Sequence, residues 1–215
     1  GPFEFRRAFL GRDASCYNTL RRRDVKIYTK SGDEGQTGLL FGGRVSKDNP
    51  RCEVVGAMDA AVSAMGLARG LSEDDLVKET LLRVQREMFV AGAELATDPA
   101  NYEMMSRRLA TVTPEMVAGL EELVDTIDGR IELPHAFLVP GTSAASGAID
   151  LARSMLRTAE RRAVGLKDRD ILPNLEVLRY LNRLADLLFM LARYEDRERP
   201  LDLVNKADRD KGLAE

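Results

Sequence analysis

Histidine occurs once in this 215-residue chain, at position 135, and tryptophan not at all. A single imidazole leaves a histidine-based zinc or di-iron centre without ligands. A di-iron helical core would call for two Glu-x-x-His pairs, and the chain has none. Cysteine is nearly as scarce. Cys16 and Cys52 stand far apart and in no C-x-x-C pair, so there is neither a disulfide framework nor a zinc motif, and a reducing, cytoplasmic setting is expected. No apolar run reads as long enough to span a bilayer, so no membrane partner is expected. Charge of one sign is not in excess either. Lys and Arg number 32 against 35 Asp and Glu, a net charge of −3, which excludes a surface built to coat nucleic acid or an anionic membrane.

What remains is a chain with 44% hydrophobic and 31% charged residues, enough to bury a core under a well-solvated surface, and of a length that favours one domain. Residues 1–24 carry six arginines against Glu4, Asp13 and Asp24 with no hydrophobic period. They are expected to form a flexible arm, and Gly1-Pro2 fits the remnant of a purification tag. Residues 25–195 are expected to form a helical domain, and residues 196–215 a charged tail that frays. No internal repeat or low-complexity tract is present.

Val25 to Thr29 alternates well enough for one short extended piece. A glycine-rich loop follows to about residue 48, after which the pattern turns helical. The first helix is expected over Arg51 to Ala68, with the apolar seam Val54, Met58, Ala61, Met65. Ser72, with Asp75 three residues on, predicts a capped second helix running to Ala96 on the seam Val77, Leu81, Val84, Met88, Ala91, Leu95. Residues 97–112 read as a polar connection. Thr113-Pro114-Glu115 opens a third helix on Met116, Leu120, Leu123, Ile127, ended by Asp128-Gly129. Thr142 or Ser143 caps a fourth on Ile149, Ala152, Leu156, Ala159, and Pro173 opens a fifth on Leu178, Leu181, Ala185, Leu188, Ala192. Alanines in the seams allow helices one and four to approach closely. The class is all-α, a five-helix bundle with an N-terminal glycine-rich nucleotide loop.

Such a bundle says nothing of function by itself, so the polar residues beside the seams matter. Arg153, Arg157 and Arg161 recur every four residues as one ridge, with Glu160 next to it. Like charges so spaced repel, and an anion facing them, carboxylate or phosphate, would suit the guanidinium fork; a solvated basic face is the plainer alternative. Asp59 lies among small apolar residues, where a carboxylate is costly unless paired, and the fourth helix offers arginines. Asn182 and Asp186 sit one turn apart on the fifth helix, where Asn182 can hydrogen-bond a base or ribose, or tie two helices together. In the loop, Gly32, Gly35 and Gly38 fall at every third position among Thr29, Lys30, Ser31 and Thr37. Exposed N–H groups there, with Lys30 and Lys47, can cradle a polyphosphate; a plain flexible turn is the alternative. No G-K-[ST] closes it as in a P-loop, and no βαβ unit surrounds it.

The blocks Y-T-K-S-G-D-E-G-Q-T-G, R-V-S-K-D-N-P-R, F-L-V-P-G, R-T-A-E-R-R and Y-L-N-R-L-A-D-L-L-F-M-L-A-R, in this order over roughly residues 25–195, resemble the PduO-type ATP:cob(I)alamin adenosyltransferases. The resemblance implies a homotrimer of five-helix bundles with active sites between subunits, which moves the 5′-deoxyadenosyl group of ATP onto cobalt and releases triphosphate. It implies Mg²⁺ with ATP, cobalamin as substrate, and room for a cobalamin-dependent acceptor enzyme as a further partner. Thr29, Lys30, Ser31, Gly32, Thr37, Gly38 and Lys47 match the ATP loop. Arg157, Glu160 and Arg161 match the helix-four part of the nucleotide site, and Asn182 its helix-five contact. Asp59 and Arg153 match the pair that joins neighbouring subunits across the active site. Phe137 takes the place of the aromatic residue against the lower face of the corrin. The chain departs from the family pattern at Ala60, Ala61, Val62, Thr142 and Thr158. A binding and delivery protein for ATP or adenosylcobalamin, without turnover, is the alternative reading.

Overall fold

The computed structural model describes Tyr28 and residues 30–204. The arm 1–24, the extended piece at 25–29 apart from Tyr28, and the last eleven residues lie outside the described residues. Two short strands, β1 (Gln36–Gly38) and β2 (Arg44–Ser46), pair as an antiparallel hairpin, and the rest is mostly helical. The glycine loop is thus partly a hairpin, which alternation over three residues was too short to signal.

Helix α1 (Pro50–Leu71) starts where expected. Asn49 Oδ1 accepts from Arg51 N at 3.0 Å, and Pro50 occupies a position whose N–H would have no helical partner. It runs past Ala68 because Ser72 N–H still bonds Ala68 O at 3.0 Å. Helix α2 (Asp75–Leu95) is capped by Asp74, not Ser72: Asp74 Oδ1 accepts from Val77 N at 3.2 Å, and a carboxylate suits the positive end of the helix. The Ser72 hydroxyl instead donates to Glu195 Oε2 at 2.7 Å. The segment read as a plain connection holds a 3-10 turn (Pro99–Asn101) and a short helix α3 (Tyr102–Ser106). Buried Met105 and the Tyr102 hydroxyl anchor it. Six helices therefore stand among the described residues, not five.

Helix α4 (Pro114–Asp128) has the expected Thr113 cap, with Leu120 and Ile127 fully buried. Helix α5 (Ala144–Lys167) begins at a capping box in which Ser143 and Ser146 satisfy each other's backbone N–H. Helix α6 (Glu176–Glu195) begins after the expected Pro173. Asn174 turns the chain first: its Oδ1 accepts from Glu176 N, and its amide reaches Glu94 Oε2 and Val112 O.

The seam residues assigned to the first, second and fourth helices are all buried. The largest helix contact is α1 on α5, where Ala57, Ala61, Ala64 and Ala68 meet Ala148, Ala152, Ala159 and Ala163 within one core. By length and composition alone α1 could cross a bilayer, which corrects the reading of no such stretch; its apolarity serves this packing. Arg51, buried, donates to Leu95 O at 2.8 Å and to Ile171 O. That gathers the start of α1 and the ends of α2 and α5 at one pole of the fold. At the other pole buried Arg193 pairs with buried Asp150, and Ser72 meets Glu195, so the start of α5 and the ends of α1 and α6 come together. The described part of the tail, residues 196–204, packs against the loop ahead of α5. Val139 N donates to Asp202 O at 2.8 Å and Val204 N to Phe137 O at 2.9 Å, so the fraying expected from residue 196 is not seen there.

Candidate functional site

The loop is shaped by a few backbone contacts. Gly35 takes φ +75°, a conformation that L side chains rarely adopt, as its N–H bonds Gly32 O. Lys47 N then bonds Gly35 O at 2.9 Å, closing the base of the hairpin. The Arg44 guanidinium donates to Gln36 O at 3.2 Å and to Ser31 O, which fixes the strand against the glycine turn. Lys47 Nζ lies against Gly32, where a Cβ would stand 3.3 Å from it. The tip is tied to the end of α2 by Leu40 N to Ala96 O at 2.9 Å. Gly42 permits this: a Cβ there would sit 2.9 Å from Asp98 Cβ.

Between this hairpin and α3 opens a cavity of about 690 Å³. Of the residues matched to the ATP loop, Ser31, Gly32, Thr37, Gly38 and Lys47 line it. Lys30 is at positive φ and does not, and Thr29 lies outside the described residues. The lining also includes Arg44, Phe41, Asn101, Met104 and Arg108, none of which was singled out from sequence. Arg44 could have been, since it opens the R-V-S-K block. Arg108 sits in the segment taken for a plain connection and carried no signal. Among the described residues three cationic side chains line the cavity and no carboxylate does, an electrostatic setting for an anion. Its volume falls in the range that holds a nucleotide-sized ligand.

The helix-four and helix-five residues form a second group. Asn182 Nδ2 donates to Glu160 Oε1 at 2.9 Å, joining α6 to α5 on an exposed face. Arg161 donates to Thr158 Oγ1 at 3.0 Å. Arg157 is exposed and has no ion pair among the described residues. The ridge is not uniform: Arg153 Nε is held by Asp150 Oδ1 at 3.0 Å, beside the buried Asp150–Arg193 pair. Asp186 is taken by Arg183 at 2.7 Å. None of Arg153, Arg157, Glu160, Arg161 and Asn182 lines the hairpin cavity.

Asp59 lines a groove of about 440 Å³ between the hairpin, α1 and α2, which shares Thr37, Gly38 and Leu40 with the first cavity. Partial burial pushes its carboxyl above the usual aspartate range, with no cation to offset it. Within one chain it therefore does not meet the fourth-helix arginine it was expected to want; Arg153 is committed to Asp150. Phe137 is 85% exposed. It stands before the start of α5, at the pole opposite the hairpin, and the 24 residues of α5 rise about 36 Å between the two. Among the described residues no cluster of three His, Cys, Asp or Glu could hold a metal ion.

The family model for cobalamin adenosyltransferase matches residues 27–195. The corrinoid adenosyltransferase PduO of Salmonella typhimurium is 37% identical over 172 residues, which cover 80% of this chain and 50% of that protein. The corrinoid adenosyltransferase of Bacillus subtilis is 39% identical over 178 residues, covering 79% of this chain and 86% of that one. The chain thus spans about half the length of the PduO relatives it matches. Among solved structures, an alanine variant of the PduO-type ATP:corrinoid adenosyltransferase from Lactobacillus reuteri, complexed with cobalamin and ATP, superposes with a TM-score of 0.76 at 31% identity, over 84% of this chain and 100% of that one. With a family match across most of its length and a shared fold, this chain belongs to the cobalamin adenosyltransferase family.

Proposed function

We propose that this protein transfers the 5′-deoxyadenosyl group of ATP to cob(I)alamin, giving adenosylcobalamin and triphosphate. The observation that carries the reading is the hairpin cavity, lined by glycine-loop residues, Arg44, Lys47 and Arg108, with no carboxylate among the described residues of its lining. In the reaction Co(I) attacks C5′ with its electron pair, the Co–C bond forms, the C5′–O bond breaks and triphosphate leaves with that bond's electrons. Cobalt supplies the nucleophile, so no general base is required, in keeping with a chain that has one histidine. The protein's part is to align C5′ with cobalt and to neutralise charge on the departing phosphates.

In this scheme Thr29, Lys30, Ser31, Gly32, Thr37, Gly38 and Lys47 hold the polyphosphate. Arg157, Glu160, Arg161 and Asn182 complete the nucleotide site from a neighbouring subunit, and Phe137 bears on the lower face of the corrin. There it displaces the lower axial ligand, so that four-coordinate Co(II) is more easily reduced. Asp59, raised and uncompensated in its groove, receives Arg153 of a neighbouring copy. The separation of the hairpin and Phe137 at opposite poles supports sites shared between subunits, in a homotrimer of helical-bundle units built from residues 25–195. Mg²⁺ arrives with ATP, coordinated by phosphate oxygens and water. The setting is cytoplasmic, and a cobalamin-dependent enzyme is the acceptor of the product.

Mixing the protein with ATP, Mg²⁺ and reduced cobalamin should yield the light-sensitive Co–C product, followed by its absorption spectrum. ATP binding without product under strong reduction would replace catalysis by delivery of a bound ligand.

A further inference from the structure

The hairpin accounts for only one wall of the cavity. The facing wall comes from the segment after α2, where Asn101, Met104 and Arg108 line the same space. This wall is held in place. Tyr102 OH donates to buried Glu94 Oε2 at 2.7 Å, while Val112 N donates to Glu94 Oε1 at 2.5 Å. The stretch from 102 to 112 is thereby tied at both ends to the last turn of α2. The hairpin is fastened to that same turn through Leu40 and Ala96, so both walls take their position from one element.

The cations of the cavity are not equivalent. Arg44 already donates to two backbone carbonyls of its own hairpin. Lys47 lies beside Gly32 at the glycine turn. The Arg108 guanidinium, exposed, makes no hydrogen bond or ion pair among the described residues, yet Arg108 lines the same cavity. We infer that Arg108 is a specificity-determining residue of the nucleotide cavity, which engages the phosphate chain across from Lys47 and selects a triphosphate over a diphosphate. Lys47 and Arg108 line one cavity, and a triphosphate brings them a third phosphate group and more negative charge than a diphosphate does. The guanidinium fork then makes charge-assisted hydrogen bonds to the far phosphate.

This inference rests on the proposed nucleotide site, and its test separates the two. Binding of ATP, ADP and inorganic tripolyphosphate is measured by calorimetry on the whole chain and on Arg108→Ala and Arg108→Lys, with melting temperature as a folding control. The intact chain should bind ATP and tripolyphosphate more tightly than ADP. Arg108→Ala should raise Kd for ATP and tripolyphosphate about tenfold, the size of one charge-assisted hydrogen bond, and leave ADP nearly unchanged. Arg108→Lys, with charge but no fork, should fall between. If the intact chain binds ATP and Arg108→Ala lowers ATP and ADP binding alike, or neither, the selectivity role is overturned and the nucleotide site stands. If the intact chain binds none of the three, both are overturned.

Discussion

The Arg157 guanidinium is exposed and meets no carboxylate among the described residues, so it contributes little to holding α5 in place. Removing an exposed side chain of this kind changes stability by about 0.5 kcal/mol or less. Arg157→Ala should therefore leave the melting curve nearly unaltered while kcat/KM for ATP falls by about tenfold or more. A collapse of melting with intact nucleotide affinity would show that the group supports the fold instead. Its neighbour on the ridge behaves differently. Arg153 is bound to Asp150, which also holds buried Arg193. Spacing along the helix put the three arginines on one face and Asp150 one turn before the first of them, but it carried no information that Asp150 would also hold Arg193. Asp150 and Arg193 were passed over because neither breaks the apolar pattern until the two helices are brought together.

At the scale of elements, the carboxylate of Glu94 joins four pieces of chain. It accepts from Tyr102 OH at the start of α3, from Val112 N ahead of α4, and from the Asn174 amide at 2.9 Å ahead of α6, all onto the end of α2. It is 2% exposed and meets donors on both oxygens. Glu94→Gln would turn one acceptor into a donor facing other donors, a loss of about 1–3 kcal/mol. Denaturant unfolding should report that loss, and ATP affinity should fall with it because the α3 wall of the cavity hangs on Tyr102. Unchanged stability would mean the donors had found water instead. The contacts here explain which elements were legible. Helices α1, α2, α4 and α5 announced themselves by seams and caps over many residues. The hairpin and α3 are too short to show a period, and they are held by single contacts to the end of α2, Leu40 to Ala96 and Tyr102 to Glu94.

For the whole molecule, the poles matter most. Arg51 gathers one end of the helices and the Asp150–Arg193 pair the other, which leaves the hairpin and Phe137 about one helix length apart. If each site is assembled from two subunits, a variant crippled at the hairpin and one crippled at Phe137 should rescue each other. Lys47→Ala and Phe137→Ala proteins, inactive alone from Co(II), should regain part of the activity after unfolding and refolding together, since some mixed assemblies contain an undamaged site. Absence of recovery, with mixed oligomers verified by mass, would place both residues in the same subunit's site.

The sequence by itself determined the helical class, most helix starts and the seams, because each rests on residues within a few turns of one another, where periodicity and capping chemistry act. Only the tertiary structure decided the rest: that Arg108 and the glycine turn line one cavity, that Asp150 is buried against Arg193, and that the tail clasps the Phe137 loop. These are contacts between segments far apart in the chain, and their identity depends on how the apolar faces pack, which local pattern does not encode.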